Sequence, residues 1–188
     1  INIAKCKWRS GRMILKDDIV LLRAIEEDDA RVLMDLINDP EVENSVFGWS
    51  YPVSLSSQKK WISNITNDTA VRYIIEVGQE AVGVAIISSV DMKNRTSNMN
   101  IKLLKSARGR GIATHALNLI IQYCFEELNM HCLTANVIER NEDSRKLWLK
   151  LGFNEDGILR QRIYKNGTYH NIVSYSLLKE EYYARNRK

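Results

Sequence analysis

The chain reads as a mixed α/β (α+β) domain: one central sheet of about seven strands, mostly antiparallel, flanked by about four helices. Three observations predict it. Residues 71–104 alternate apolar and polar side chains in three runs split by short polar turns, the mark of an antiparallel meander. A 3.6-residue apolar period follows at Ile112, Ala116, Leu117, Ile120, Ile121, Cys124 and Leu128, which makes a long amphipathic helix. Strand patterns stand on both sides of that helix, and a strand, a crossover helix and a strand make one parallel step. The 188 residues suit one domain with a sizeable core.

Taken in order, the elements run β-α-α-β-β-β-α-β-α-β-β. Ile19 to Ile25 reads as the first strand. Glu26-Glu27-Asp28-Asp29 then puts acids where a helix dipole favours them. Val32, Leu33, Leu36 and Ile37 form that helix's apolar face, and Asn38-Asp39-Pro40 stops it. Glu41 to Val53 has no clear period but carries Phe47, Trp49 and Tyr51, aromatics that either line a pocket or plug the core from outside. Ser54 caps a second helix through Ile62 and Ile65, with Trp61 on it.

The meander comes next, over 71–77, 81–90 with Gly83 at a bulge, and 96–104. Beyond the long helix, His131 to Ile138 is a strand with Leu133, Ala135 and Val137 on one side. Asn141 or Asp143 caps a helix whose inner face is Leu147, Trp148 and Leu151, and Gly152 ends it. Gly157 to Tyr164 and Tyr169 to Leu178 form a hairpin around Asn166-Gly167. The tail from Lys179 is polar and expected to fray beyond Tyr183.

The net charge of +4 comes from the start of the chain, where Lys5, Lys7, Arg9 and Arg12 stand with no acid. The remainder is balanced, so charge makes no case for nucleic acid as a partner. Residue 1 is Ile, so residues 1–12 are expected to be a foreign, processed or disordered segment, with Met13 as the natural first residue and 13–188 as a single domain. No apolar run suggests a membrane span. The three cysteines are unpatterned and read as structural thiols of a cytoplasmic protein. His115, His131 and His170 have no metal-ligand spacing, so no metal is expected.

Chemistry concentrates where the third meander strand hands over to the long helix. There stands Lys105-Ser106-Ala107-Arg108-Gly109-Arg110-Gly111-Ile112-Ala113. The first amides of a helix lack intrahelical partners and sit at its positive end. Glycines admit a ligand close to the backbone, and arginines offer donors suited to phosphate oxygens. The arrangement is either an anion cradle for a diphosphate or a plain strand-to-helix turn. It is not a P-loop, because Ile112 and Ala113 follow Gly111 in place of Lys and Ser or Thr. It is not the dinucleotide fingerprint either, whose third glycine position holds Thr114.

With these residues in view, the chain resembles the GNAT superfamily of N-acetyltransferases. Within it, the chain is similar to the branch of ribosomal-protein N-terminal acetyltransferases and their small-molecule relatives. The superfamily's phosphate motif stands as Arg108-Gly109-Arg110-Gly111-Ile112-Ala113, and its second motif as Asn141, Ser144, Leu147, Gly152 and Phe153. The likeness runs from about Ile19 to Tyr183.

The resemblance implies the GNAT fold, acetyl-CoA as co-substrate, and a site. The coenzyme A diphosphate would lie on the amides of Arg108 to Ala113. Its pantetheine arm would add to the strand edge at Ile101, Lys102 and Leu103, where family members splay two strands apart. Asn141 would reach the cofactor and Ser144 its thiol end, as the catalytic-region pair, although both residues also suit helix capping. Segment 41–67 would cover the acceptor side, with Trp49, Tyr51 and Glu76 as substrate-binding candidates. Two positions depart from the family. Trp148 stands where many members have a tyrosine acid, and Asn98 where many have a glutamate base. Neither the general acid nor the general base is therefore assigned.

The expected activity is direct, acetyl-CoA-dependent N-acetylation of a primary amine: a protein N-terminus, an amino sugar, a polyamine or an aminoglycoside. Few acids among the aromatics of 41–67 argue against a highly cationic polyamine. The alternative is a non-catalytic acyl-CoA sensor on the same fold. The expected partners are the amine acceptor alone, with no nucleic acid and no membrane, in a monomer or homodimer.

Overall fold

A computed structural model describes residues 14–47, 51–68 and 70–186. Eight strands form one sheet: β1 (Leu15–Lys16), β2 (Leu21–Arg23), β3 (Ala70–Val77), β4 (Glu80–Asp91), β5 (Thr96–Leu103), β6 (Cys132–Ile138), β7 (Asn154–Lys165) and β8 (Thr168–Leu178). Their order across the sheet is β1-β2-β3-β4-β5-β6-β8-β7. Only β5 and β6 run parallel; every other neighbouring pair is antiparallel. The helices are α1 (Ala30–Asn38), α2 (Pro40–Ser45), α3 (Leu55–Ser63), α4 (Ile112–Glu126), α5 (Glu142–Leu151) and α6 (Lys179–Asn186).

Strand alternation sorts the core onto two faces. Tyr73, Ile75, Ala85, Ile87, Met99, Leu103, Leu133, Ala135, Val137, Val173 and Tyr175 pack under α4 and α5 in the larger cluster. Ile74 and Val84 turn the other way and meet Leu33, Leu36 and Val42 of α1 and α2. Cys124 is fully buried in the larger cluster, and burial pushes its thiol up to about 12. That is an inert structural thiol, as the sequence suggested. At Gly83 a Cβ would lie 2.4 Å from the Lys102 carbonyl oxygen, so glycine lets β4 and β5 approach. The irregularity in β3–β4 pairing falls just beside it, between Ile75 and Glu76.

Most predicted elements stand within a few residues of their expected bounds, but the count is higher. The first strand is shorter than Ile19 to Ile25, and β1 pairs with it. Pro40 does not only stop α1. Asp39 accepts a hydrogen bond from the Glu41 amide at 2.8 Å and Pro40 occupies the first turn, so the same residues start α2. The tail is helical to Asn186 rather than frayed, because Tyr182 stacks on Phe125 with ring centroids 5.0 Å apart. Residues 1–12, Met13 and Trp49 lie outside the described residues.

Asp17, in the β1–β2 turn, holds the start of α4 to the sheet. Its carboxylate accepts from the amides of Ile19 and Val20 at 2.8 Å each and meets His115 Nδ1 at 2.7 Å. Burial pushes the Asp17 carboxyl up, but the Val20 and Ile19 amides and His115 outweigh it and hold the group below its usual range. A depressed carboxyl pKa stabilises the fold above the unfolded value of about 4, and that stability is lost as pH falls through the folded value. Asp17→Asn is expected to cost about 1 kcal/mol at pH 7. Urea unfolding at stepped pH should show the gap to wild type closing below pH about 4.

Candidate active site

The sheet opens at its one parallel pair. β5 and β6 pair only at Thr96↔Cys132, Ser97↔Leu133 and Asn98↔Thr134. Beyond that point β5 stays with β4 as far as Leu103↔Gly83, and β6 stays with β8 as far as Ile138↔Ile172. Each strand follows its antiparallel neighbour, and the inner edges part into a V. Thr134 Oγ1 donates to the Ser97 carbonyl at 3.1 Å and accepts from Asn98 Nδ2 at 3.2 Å, which pins the vertex. Ser97 Oγ is buried there with no hydrogen-bond partner.

Which backbone groups face the gap follows from alternation. The Leu104 amide donates to the Val82 carbonyl at 2.9 Å. Lys102, two residues back and paired with Val84, therefore commits its backbone to β4, while Ile101 and Leu103 turn theirs to the gap. The Leu103 carbonyl is taken by Arg108 Nε at 3.1 Å. Of the three expected edge residues, Ile101 is the one with both backbone groups toward the opening, and Lys102 is corrected to the β4 side.

The open end of the V leads to the glycine loop. Gly109 and Gly111 have φ of +72° and +80°, left-handed values that glycine adopts without strain. A Cβ on Gly109 would meet nothing within 4 Å, so the space before the loop is clear. Among the described residues, no protein oxygen accepts from the amides of Gly109 to Ala113. The Arg108 amide differs, since it closes the preceding turn on the Lys105 carbonyl at 3.2 Å. The Arg108 side chain also departs from expectation. Its guanidinium binds Glu41 at 2.8 Å and Asp39 at 3.1 Å, which turns it toward α2.

Helix α2 bridges both arms of the V. On the β5 side its acids take Arg108 and Lys105. On the β6–β8 side Glu43 pairs with the buried Lys165, Asn166 donates to Asn44 Oδ1 at 2.8 Å, and Arg140 donates to the Asn44 carbonyl at 3.1 Å. Asn38 clamps the Val53 amide and carbonyl, both at 2.9 Å, and so closes the segment that carries the aromatics. Sequence reasoning missed this bridge. The available signal was Asp39-Pro40, which marks a helix start as well as a stop.

The remaining candidates divide. Asn141 caps α5, accepting from the Ser144 amide at 3.1 Å, and stands just past the end of β6. Asn141 and Ser144 thus sit together near the β6 arm, with the capping use confirmed. Trp148 is 3% exposed and packs edge-on against Phe153 at 4.9 Å. It is a core residue. Asn98 is held at the vertex and bonded to Asn100 at 2.9 Å. Glu76 ion-pairs with Arg23 at 2.7 Å, alongside Asp29, so its carboxylate is part of the β2–β3–α1 junction. Phe47 and Tyr51 are exposed, and neither plugs the core. His170 lies in the final hairpin, where it meets the Lys165 carbonyl.

A strand V ending on a glycine loop at a helix N-terminus is a cleft with free backbone donors at its open end. A family model described as an acetyltransferase (GNAT) domain matches residues 20–154, most of the chain, and the chain belongs to this family. It is 31% identical over 173 residues to a putative ribosomal N-acetyltransferase, YdaF, of Bacillus subtilis, covering 87% of this chain and 93% of that one. It is 26% identical over 168 residues to spermidine N(1)-acetyltransferase of Escherichia coli, covering 89% and 90%. The Vibrio cholerae spermidine N-acetyltransferase, solved with CoA and spermine, shares the fold at TM-score 0.82 and 24% identity, covering 89% of this chain and 99% of that one.

Trp148→Ala is expected to cost about 3–5 kcal/mol, read from denaturant midpoints. Trp148→Tyr should not raise turnover, because position 148 points into the core.

Proposed function

We propose that the chain moves the acetyl group of acetyl-CoA directly to a primary amine, either a small-molecule amine such as an amino sugar or a protein N-terminus. The observation that carries this is the unpaired V between β5 and β6, which ends on amides with no protein acceptor among the described residues. Affinity to the ribosomal-type branch is supported by the 31% identity to YdaF.

The residues present fit the cofactor. The amides of Gly109 to Ala113 suit a diphosphate. The Ile101 backbone offers β-augmentation to the amide groups of a pantetheine arm. When bound, acetyl-CoA supplies an acetyl group activated as a thioester. The chain contributes placement. Holding amine and carbonyl side by side can supply about 7–11 kcal/mol of barrier reduction.

No acyl-enzyme is needed. Cys124 is buried with its thiol pushed up to about 12, and burial also raises the Cys132 thiol. With Asn98 at the vertex and Trp148 in the core, neither is placed as base or acid, and solvent is left to take the amine proton. A thiolate leaves with less help from an acid than an alkoxide does.

Gly109→Asn tests the cradle. Asparagine tolerates the left-handed backbone, and its side chain enters the space before the amides. Calorimetry with coenzyme A should show at least a tenfold weaker constant, with a thermal midpoint close to wild type. An unchanged constant would sink the cradle. Coenzyme A binding without turnover across an amine panel would favour the sensor reading instead.

A further inference from the structure

We infer that the acceptor carries an anionic group, a carboxylate or a phosphate, beside its primary amine, and that Lys102 and Arg72 receive that group. The inference rests on the N-acetyltransferase reading of the same cleft and names its substrate class.

The face of the sheet toward α1 and α2 forms the floor beside the V. Near the vertex it is uncharged and polar. Asn100 donates to Asn98 at 2.9 Å and to Ser88 at 3.3 Å, and Ser174 donates to Asn136 at 2.8 Å. Two cations share this face. Lys102 pairs with Val84, whose side chain lies in the α1–α2 cluster, so the lysine projects on that side. Arg72 pairs with Ile86, which pairs with Asn100, so Arg72 and Asn100 lie in one row, about 10 Å apart across two strand spacings.

Neither cation has a carboxylate partner among the described residues. Arg72 donates to the Ala70 carbonyl at 3.1 Å and stacks over Trp61, 5.5 Å from its centroid, which leaves other guanidinium donors for a ligand. Lys102 is partly buried, and burial alone pulls its ammonium below the usual range, with no acid to restore it. A desolvated cation without a counter-charge is costly, and an anion supplied by the substrate would offset that cost.

The acids tell the same story from the other side. Asp39, Glu41 and Glu43, which flank or form α2, are each already ion-paired. Glu76 is held by Arg23. Asp156, toward the far end of the face, accepts from Ser176 at 2.6 Å. A polycation would find the α2 acids and Glu76 already ion-paired, Asp156 left as the acid without a cation partner among these, and two cations on the floor. An acceptor with an anion would find two cations without carboxylate partners among the described residues, Lys102 on β5 and Arg72 on β3.

The test is a thiol-release assay on the full chain with matched acceptors: glucosamine 6-phosphate against glucosamine, alanine against alaninamide, and spermidine apart. The first pair reads phosphate and the second carboxylate. At least one anionic member should be preferred over its neutral partner, with the preference shrinking as salt rises. Lys102→Met and Arg72→Gln should each lower the ratio of kcat/KM, anionic over neutral, by about tenfold. Reading the ratio cancels any loss of folded protein. Spermidine turning over as well as the anionic amines, or a ratio unmoved in both variants, overturns the inference and leaves the transferase intact. Coenzyme A binding with no amine acetylated overturns the transferase reading and this inference with it.

Discussion

A parallel pair that pairs for three rungs and then parts is the constraint on which the rest of the structure depends. Hydrogen bonding drives the parting. β5 keeps its ladder with β4 over its length, and β6 keeps its own with β8 from Cys132 to Ile138. Antiparallel pairing is slightly stronger per residue than parallel pairing. Each strand therefore follows its outer neighbour, and the inner edges lose register beyond Asn98 and Thr134. The freed backbone at Ile101 needs a partner, and the sheet itself has none to offer. The same geometry delivers β5 into the glycine loop, so a ligand that satisfies the strand edge also meets the helix N-terminus.

Holding such a gap open needs a brace, and α2 provides it. Its acids reach Arg108 and Lys105 on one arm and Lys165 on the other. Lys165 is buried and would be expensive alone, but it donates hydrogen bonds to both the Glu43 carboxylate and the Glu43 carbonyl. Through Glu41 and Glu43, α2 thus ties the glycine loop at Arg108 to the final hairpin at Lys165.

Much of this was legible from local patterns. The meander and the long helix follow from periodicity, and the Ser54, Asn141 and Gly152 boundaries follow from capping chemistry. The glycine loop was legible as a strand-to-helix turn because Gly109 and Gly111 sit where β5 hands over to α4. The misses have a common cause. Helix α2 is too short to show a period, and Pro40 reads equally as an end or a beginning. The helical tail is polar and owes its place to Tyr182 on Phe125, a contact between residues far apart in sequence. Arg108 looked like a phosphate donor because its neighbours in sequence are glycines, while its neighbours in space are Asp39 and Glu41.

By itself, then, the sequence determined the class of domain, the order of its main elements and the glycine turn that joins β5 to α4. Those depend on period, caps and turns, which act over a few residues. Only the tertiary structure decided that Ile101 faces the gap, that Trp148 fills the core, and that Lys102 lies on the α1–α2 face with no acid beside it among the described residues. Those depend on strand register and on which charges meet across the sheet. Both are set by long-range packing that no local window contains.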